Sequence, residues 1–239
     1  MALENKAVSF LEHLEELRGR LIKSVLMIAL ASFIFYGWVD RVLQFLIKPV
    51  GRVVFTSPCE AFATSMHLTF LGGIFLSSPF IVYHIWAFVG QGLTPAERKY
   101  VVFFGPLSLI LFFVGTVFGY FVIVPFSLKF LLSFSSPTMI PMITVEKYIA
   151  FVTNLVLAFG VVFELPLILV FLTKIGVASP EFLRHKRRHA IVIIFIVSAV
   201  LTPPDWISQM LMAIPLVVLY ELGIFASRWT YRENLNRGT

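Results

Sequence analysis

Acidic residues in two settings could do chemistry in this chain of 239 residues. One is solitary. Glu164 is the single charged residue in a mostly apolar run, 148–173, that lies between Lys147 and Lys174. An acid at the centre of a membrane helix costs roughly 2.5–3.5 kcal/mol, and keeping a glutamic acid neutral at pH 7 costs a similar ~3.7 kcal/mol. In either protonation state the carboxyl should face protein or a water-filled cavity, as a functional polar spot inside the membrane or as a structural hydrogen bond between helices. Pro166, two residues on, removes the backbone donor that would otherwise bond Val162. The other setting is a cluster. Glu12, Glu15 and Glu16 stand together ahead of the first apolar run, and Glu97 sits between two later runs. Carboxylates grouped on one face would pair with guanidinium groups in bidentate geometry and so receive an Arg-containing peptide. Taken singly, the cluster reads as a solvated helix face with local pairs such as Glu16 with Arg20, and Glu97 as a helix cap.

The elements that must position these acids are membrane helices. Hydrophobic residues make up 59% of the chain and charged ones 13%, with 26 Phe, far from the quarter charged that is usual for soluble domains. The net charge of +6 would point to nucleic acid in a soluble protein. Here the basic residues fall between apolar spans, which indicates membrane orientation instead, and no nucleic-acid partner is expected. The single cysteine, Cys59, excludes an internal disulfide and a thiolate metal site. His67 and His84 would stand ~25 Å apart along one helix, too far to share a metal, and no cofactor is expected. The acidic start of the chain reads as neither a cleavable signal nor a transit peptide.

Periodicity and punctuation predict six spans, approximately 22–39, 65–88, 100–124, 148–173, 189–203 and 206–226, in one all-α membrane domain over residues 1–239. Ser9 and Glu12 have capping-box spacing, so a surface helix is predicted to start there and to run into the first span, with Phe10, Leu14, Leu17 and Leu21 on one face. A loop is expected over 40–64, with Pro49, Gly51, Pro58 and Cys59 in it. Thr94, Pro95 and Glu97 repeat the helix-start signal. Gly115 and Gly119 have the small-residue spacing that lets helices approach, most simply within the chain. Ser179–Pro180 starts a further helix. The last two spans are short, at ~24 Å or less against a ~30 Å core, and meet in a tight hairpin at Thr202-Pro203-Pro204-Asp205.

Counting Lys and Arg orients the bundle. With both termini inside, the inner segments hold Lys6, Arg18, Arg20 and Lys23, then Arg98 and Lys99, then Lys174, Arg184, Lys186, Arg187 and Arg188, then Arg228, Arg232 and Arg237. The outer segments hold only Arg41, Lys48, Arg52, Lys129 and Lys147. The asymmetry predicts cytoplasmic N and C termini in a multi-pass protein of the cytoplasmic (inner) membrane, and puts Glu12, Glu15, Glu16 and Glu97 on the same cytoplasmic face.

Six stretches in order, 10–21 (FLEHLEELRGRL), 78–88 (SPFIVYHIWAF), Glu97-Arg98-Lys99, 158–166 (AFGVVFELP), 201–209 (LTPPDWISQ) and 212–223 (MAIPLVVLYELG), together resemble TatC, the core receptor of the twin-arginine protein translocase. The resemblance implies a cupped six-helix bundle that binds twin-arginine signal peptides at its cytoplasmic face. It implies work with single-span TatA- and TatB-type partners, and self-association in a larger complex, to export folded proteins on the proton-motive force. Glu16 and Arg18 match the N-terminal signal-binding motif and Glu97 the loop glutamate that contacts the arginine pair, with Phe88 and Arg98 flanking that surface. Glu164 matches the intramembrane glutamate, Gln209 a polar position near the partner contact, and Pro49 and Asp205 outer-loop positions needed for function. Glu12 and Glu15 are less strictly shared. The chain departs from the family at 90–94 (GQGLT), where a proline and often a tyrosine are expected, and at His67, usually a lysine.

A proton-coupled secondary transporter of a small solute is the alternative, since Glu164 and a Pro-interrupted span could form a coupling site, but no half-to-half similarity marks an inverted repeat. An enzyme is not expected. Asp40 and Asp205 fall at outer loop ends, and neither H-E-x-x-H nor G-x-S-x-G occurs.

Overall fold

The computed structural model describes residues 2–95, 97–136, 141–201 and 206–237. Among these the chain is helical, with an isolated bridge between Val54 and Thr144 in place of any strand. Helix α1, Ala2–Phe35, passes through a 3-10 turn, Tyr36–Trp38, into α2, Val39–Ile47. Helix α3 is Pro58–Gln91. Helix α4, Arg98–Phe118, runs through a π-helical segment, Gly119–Ile123, into α5, Val124–Leu132. Then come α6, Val145–Val162; α7, Leu165–Lys174; the short α8, Pro180–His185; α9, Arg187–Leu201; and α10, Trp206–Arg237.

Five of these continuous helical runs are long and apolar enough to cross a bilayer among the described residues: His13–Ile47, Pro58–Gln91, Arg98–Leu132, Val145–Lys174 and Gln209–Tyr231. They contain or overlap the stretches 22–39, 65–88, 100–124, 148–173 and 206–226. The span expected at 189–203 corresponds to α9, whose 15 residues reach only ~22 Å as a helix. The last helix is not short. It has 32 residues, with Glu221, which pairs with Arg187, in its interior.

Two other boundaries move for legible reasons. Ser9 lies inside a helix and not at its start: α1 already runs from Ala2, through Ala2, Leu3, Glu4, Lys6 and Ala7, all strong helix formers. The loop expected over 40–64 shrinks to the stretch between Ile47 and Pro58. Val39, Val42, Leu43, Leu46 and Ile47 make an apolar helical stripe that carries the first span on. Ser57-Pro58-Cys59-Glu60 is itself a start signal, and the Glu60 carboxylate accepts from the Thr56 N–H at 2.8 Å and the Thr56 hydroxyl at 2.5 Å.

The chain forms two compact units, one of Met1–Phe45 with Phe62–Leu109, the other of Leu46–Ala61 with Ile110–Thr239. In the first, α1 crosses α3 at Gly72 and Gly73. A Cβ on Gly72 would lie 2.0 Å from the Phe35 ring and one on Gly73 2.0 Å from the Ser32 hydroxyl, so only glycine permits this approach. Trp86 of α3 stacks on Phe104 of α4 with centroids 5.7 Å apart. In the second unit the fully buried Val124, Ile149, Val152 and Phe159 form the core between α5 and α6. The Tyr148 hydroxyl donates to the Leu46 carbonyl at 2.7 Å, and the bridge ties Val54 to Thr144.

Candidate functional site

The α1–α3 approach brings Glu16 of α1 to the end of α3. Gln91, the last residue of α3, donates its side-chain amide to Glu16 Oε1. On the same α1 face, Arg20 donates to that oxygen through Nε at 2.8 Å and Nη2 at 2.5 Å. The local Glu16–Arg20 pair read from the sequence therefore exists, and Glu16 also makes the long-range contact that the sequence did not show. One helical turn earlier, His13 stacks on Phe88 of α3 at 4.3 Å, with the rings 22° from parallel. Phe88 is thus fixed one turn before Gln91.

From Gln91 the chain turns through Gly92, whose N–H donates to the Val89 carbonyl at 3.2 Å, and reaches Thr94. The Thr94 carbonyl accepts from the N–H groups of Glu97 and Arg98 at 2.9 and 3.1 Å, which starts α4. Glu97 reaches back to cap that start. Its Oε2 accepts from the Thr94 hydroxyl at 2.7 Å and the Thr94 N–H at 2.9 Å. The Thr94 hydroxyl bond, and then the N–H bond, hold the Glu97 carboxyl below the usual glutamate range, so it is ionised at neutral pH. Arg98, the first residue of α4, is exposed, as are Arg18 and Glu15 on α1.

The first unit therefore gathers Glu16, Phe88 and the Thr94–Glu97 turn around the end of α3, with Glu15, Arg18 and Arg98 on exposed ground. Glu12 lies on α1, but its side chain falls outside the described residues. Sequence reasoning missed Gln91, His13 and Arg20 as parts of the site. Gln91 carried a usable signal, since an amide at the last position of a span that ends in Gly92 can reach a neighbouring helix.

The remaining candidates lie in the second unit. Glu164 occupies the break between α6 and α7 that Pro166 imposes. Its N–H donates to the Val161 carbonyl at 3.1 Å, its carbonyl accepts from the Ile168 N–H at 2.9 Å, and its carboxyl oxygen Oε1 is buried. Gln209 donates Nε2 to the Phe195 carbonyl at 3.1 Å, tying the start of α10 to α9. Pro49 is exposed in the turn that ends α2, where Val50 and Gly51 both donate to the Ile47 carbonyl at 3.0 Å. Asp205 lies outside the described residues.

The sequence and fold have close likenesses. The family model described as Sec-independent protein translocase protein (TatC) matches residues 12–215, across both units. A protein named Sec-independent protein translocase protein TatC from Carboxydothermus hydrogenoformans is 44% identical over 232 residues, covering 95% of this chain and 96% of that one. The Bacillus subtilis protein named TatCd is 35% identical over 238 residues, covering 99% and 98%. A crystal structure described as the twin arginine translocase receptor TatC superposes with a TM-score of 0.84 at 36% identity, covering 91% of this chain and 99% of its own. These likenesses give the solute-transporter alternative no support. On that sequence and structural likeness, the chain belongs to the TatC family of Sec-independent protein translocase proteins.

Proposed function

We propose that this chain is the receptor that takes up twin-arginine signal peptides at the cytoplasmic face of the inner membrane and hands folded cargo to an export pathway driven by the proton-motive force. The observation that carries this is the joint between Glu16 and Gln91, which puts a carboxylate of α1 at the end of α3, six residues before the ionised Glu97. Two carboxylates held by donors on one end of a helix pair suit two adjacent guanidinium groups. Phe88 supplies an aromatic wall, and the exposed Arg18 and Arg98 repel a ligand whose positive charge is not registered on the acids. Glu12 and Glu15 extend the negative approach.

On this reading residues 1–239 form one domain of six spans, with α9 as a short span in a locally thinned bilayer and both termini cytoplasmic. Glu164 and Gln209 then serve contacts with TatA- and TatB-type single-span proteins, and Pro49 and Asp205 are outer-loop positions that function requires. The chain also self-associates within the complex and performs no chemistry of its own. The likeness to a structure described as a twin-arginine translocase receptor supports the assignment. The test is binding of a fluorescent Arg-Arg signal peptide and its Lys-Lys counterpart to the purified full-length protein. A strong preference for Arg-Arg that disappears in Glu16→Ala and in Glu97→Ala proteins is expected, and equal binding of the two peptides would overturn the reading.

A further inference from the structure

The carboxylate assigned above to the peptide is already occupied. Arg20 covers Glu16 Oε1 with two donors, Nε and Nη2, and Gln91 adds a third to the same oxygen, so a ligand guanidinium that is to fork across both carboxylate oxygens has to take Oε1 from Arg20. Its remaining terminal nitrogen, Nη1, lies 3.4 Å from His84 Nδ1. A guanidinium offers only donors, so this contact sets Nδ1 as an acceptor and steadies Arg20 from its far side. Glu16, Arg20 and His84 join Gly19, Lys23 and Tyr83 in lining an open pocket of about 400 Å³. The pair is only partly shielded, with side chains 18% and 29% exposed, so it can open without stranding a charge away from water.

We propose that Arg20 is an internal competitor for the receptor carboxylate. Its guanidinium fills at Glu16 the place that an arginine of the peptide takes, and uptake is an exchange in which Arg20 turns away into the open pocket. The inference rests on the reading of Glu16 as the peptide's acceptor. Exchange keeps the charge of Glu16 compensated at each stage, and part of the affinity gained by a guanidinium across both oxygens is offset by the displacement of Arg20. The apparent dissociation constant is the intrinsic one divided by the fraction of molecules with Arg20 displaced. For a partly shielded pair four residues apart on a helix, that fraction corresponds to a weakening of roughly three- to tenfold. Because any cation drawn to Glu16 meets the guanidinium of Arg20 there, the factor is the same for Arg-Arg and Lys-Lys peptides. Arg20 therefore sets affinity, and the fork geometry of Glu16 sets the choice of arginine.

The test titrates both fluorescent peptides onto the full-length detergent-solubilised protein and its Arg20→Gln, Arg20→Lys and Glu16→Gln variants, with the double variant Glu16→Gln/Arg20→Gln. Arg20→Gln is expected to bind both peptides roughly three- to tenfold tighter, by one common factor, and Arg20→Lys to show a smaller gain. In the Glu16→Gln background the Arg20 change should have no effect, since the competitor then has nothing to occupy. Unchanged or weaker binding in Arg20→Gln and Arg20→Lys, with Glu16→Gln still weakening the wild-type preference for Arg-Arg, would overturn the competitor and leave the receptor reading intact. Wild-type binding in Glu16→Gln would remove both.

Discussion

Replacing Gly115 by alanine should loosen the seat of Glu164, and the size of the effect follows from the geometry. In the second unit, a Cβ on Gly115 would lie 2.4 Å from the Phe159 carbonyl oxygen and 2.8 Å from Phe163 Cβ, whereas ordinary contact begins at 3.4 Å. The obstacle is backbone, so relief requires α4 and α6 to separate by ~1 Å, an overpacking cost of about 1–3 kcal/mol. Alanine returns at most ~1 kcal/mol through its better helix propensity. Because the obstacle is a backbone oxygen, the cost lies in the upper part of that range, and the net loss of roughly 1–2 kcal/mol lowers Tm by about 2–8 °C at this chain length. Gly37→Ala is the control, since nothing lies within 4 Å of the Cβ it would add, and it should melt like wild type or slightly higher. Thermal unfolding of the purified protein in detergent measures both. A Gly115→Ala protein that melts with the control would refute the packing argument. The contact lies within the chain, so the oligomer size of the variant should not change.

Two further expectations concern the acids. Because hydrogen bonds from Thr94 lower the pKa of Glu97, its capping contribution is fully present above the unfolded value and is lost only as pH falls through the lower folded one. A carbon-NMR titration of the Glu97 carboxyl should show its midpoint below the ordinary ~4.3, and a midpoint at or above that value would contradict the Thr94 geometry. Glu164→Ala should leave capture of the Arg-Arg peptide intact while reducing crosslinks to TatA- and TatB-type proteins and slowing export. Normal crosslinking together with normal export would refute a role for this residue in assembly.

Where the sequence could be read, a local physical cause stood in a few adjacent residues. Pro166 announced the break that holds Glu164, because a missing donor acts within one turn. Thr94, Pro95 and Glu97 announced the start of α4, although the Thr94 hydroxyl donates to Glu97 instead of accepting from its backbone. The same pattern at Ser57-Pro58-Cys59-Glu60 was overlooked inside a stretch read as loop, which delayed the start of α3. The pairing of Gly115 and Gly119 with α6 was legible as spacing but not as a partner, since spacing says that a backbone comes close and not which one. Gln91 escaped because its contact joins residues 75 apart in sequence, and such distances carry no periodic trace.

Both acids of the proposed site have local partners, and these partners equip them differently. Thr94 bonds Glu97 through Oε2 with both of its donors, which orients the carboxylate, and on the proposed reading Oε1 accepts the ligand. Little ordering remains to be lost when a guanidinium arrives there. Glu16 also takes Arg20 and Gln91 on a single oxygen, but one of these donors is itself a guanidinium, so a ligand guanidinium that is to span both oxygens competes with it directly. Gln91, being neutral, has no such rival and can hold Glu16 in place while Arg20 leaves. The two carboxylates are therefore unequal on the proposed reading: Glu97 is a static acceptor that captures, and Glu16 an exchanger whose release of Arg20 decides whether capture is completed.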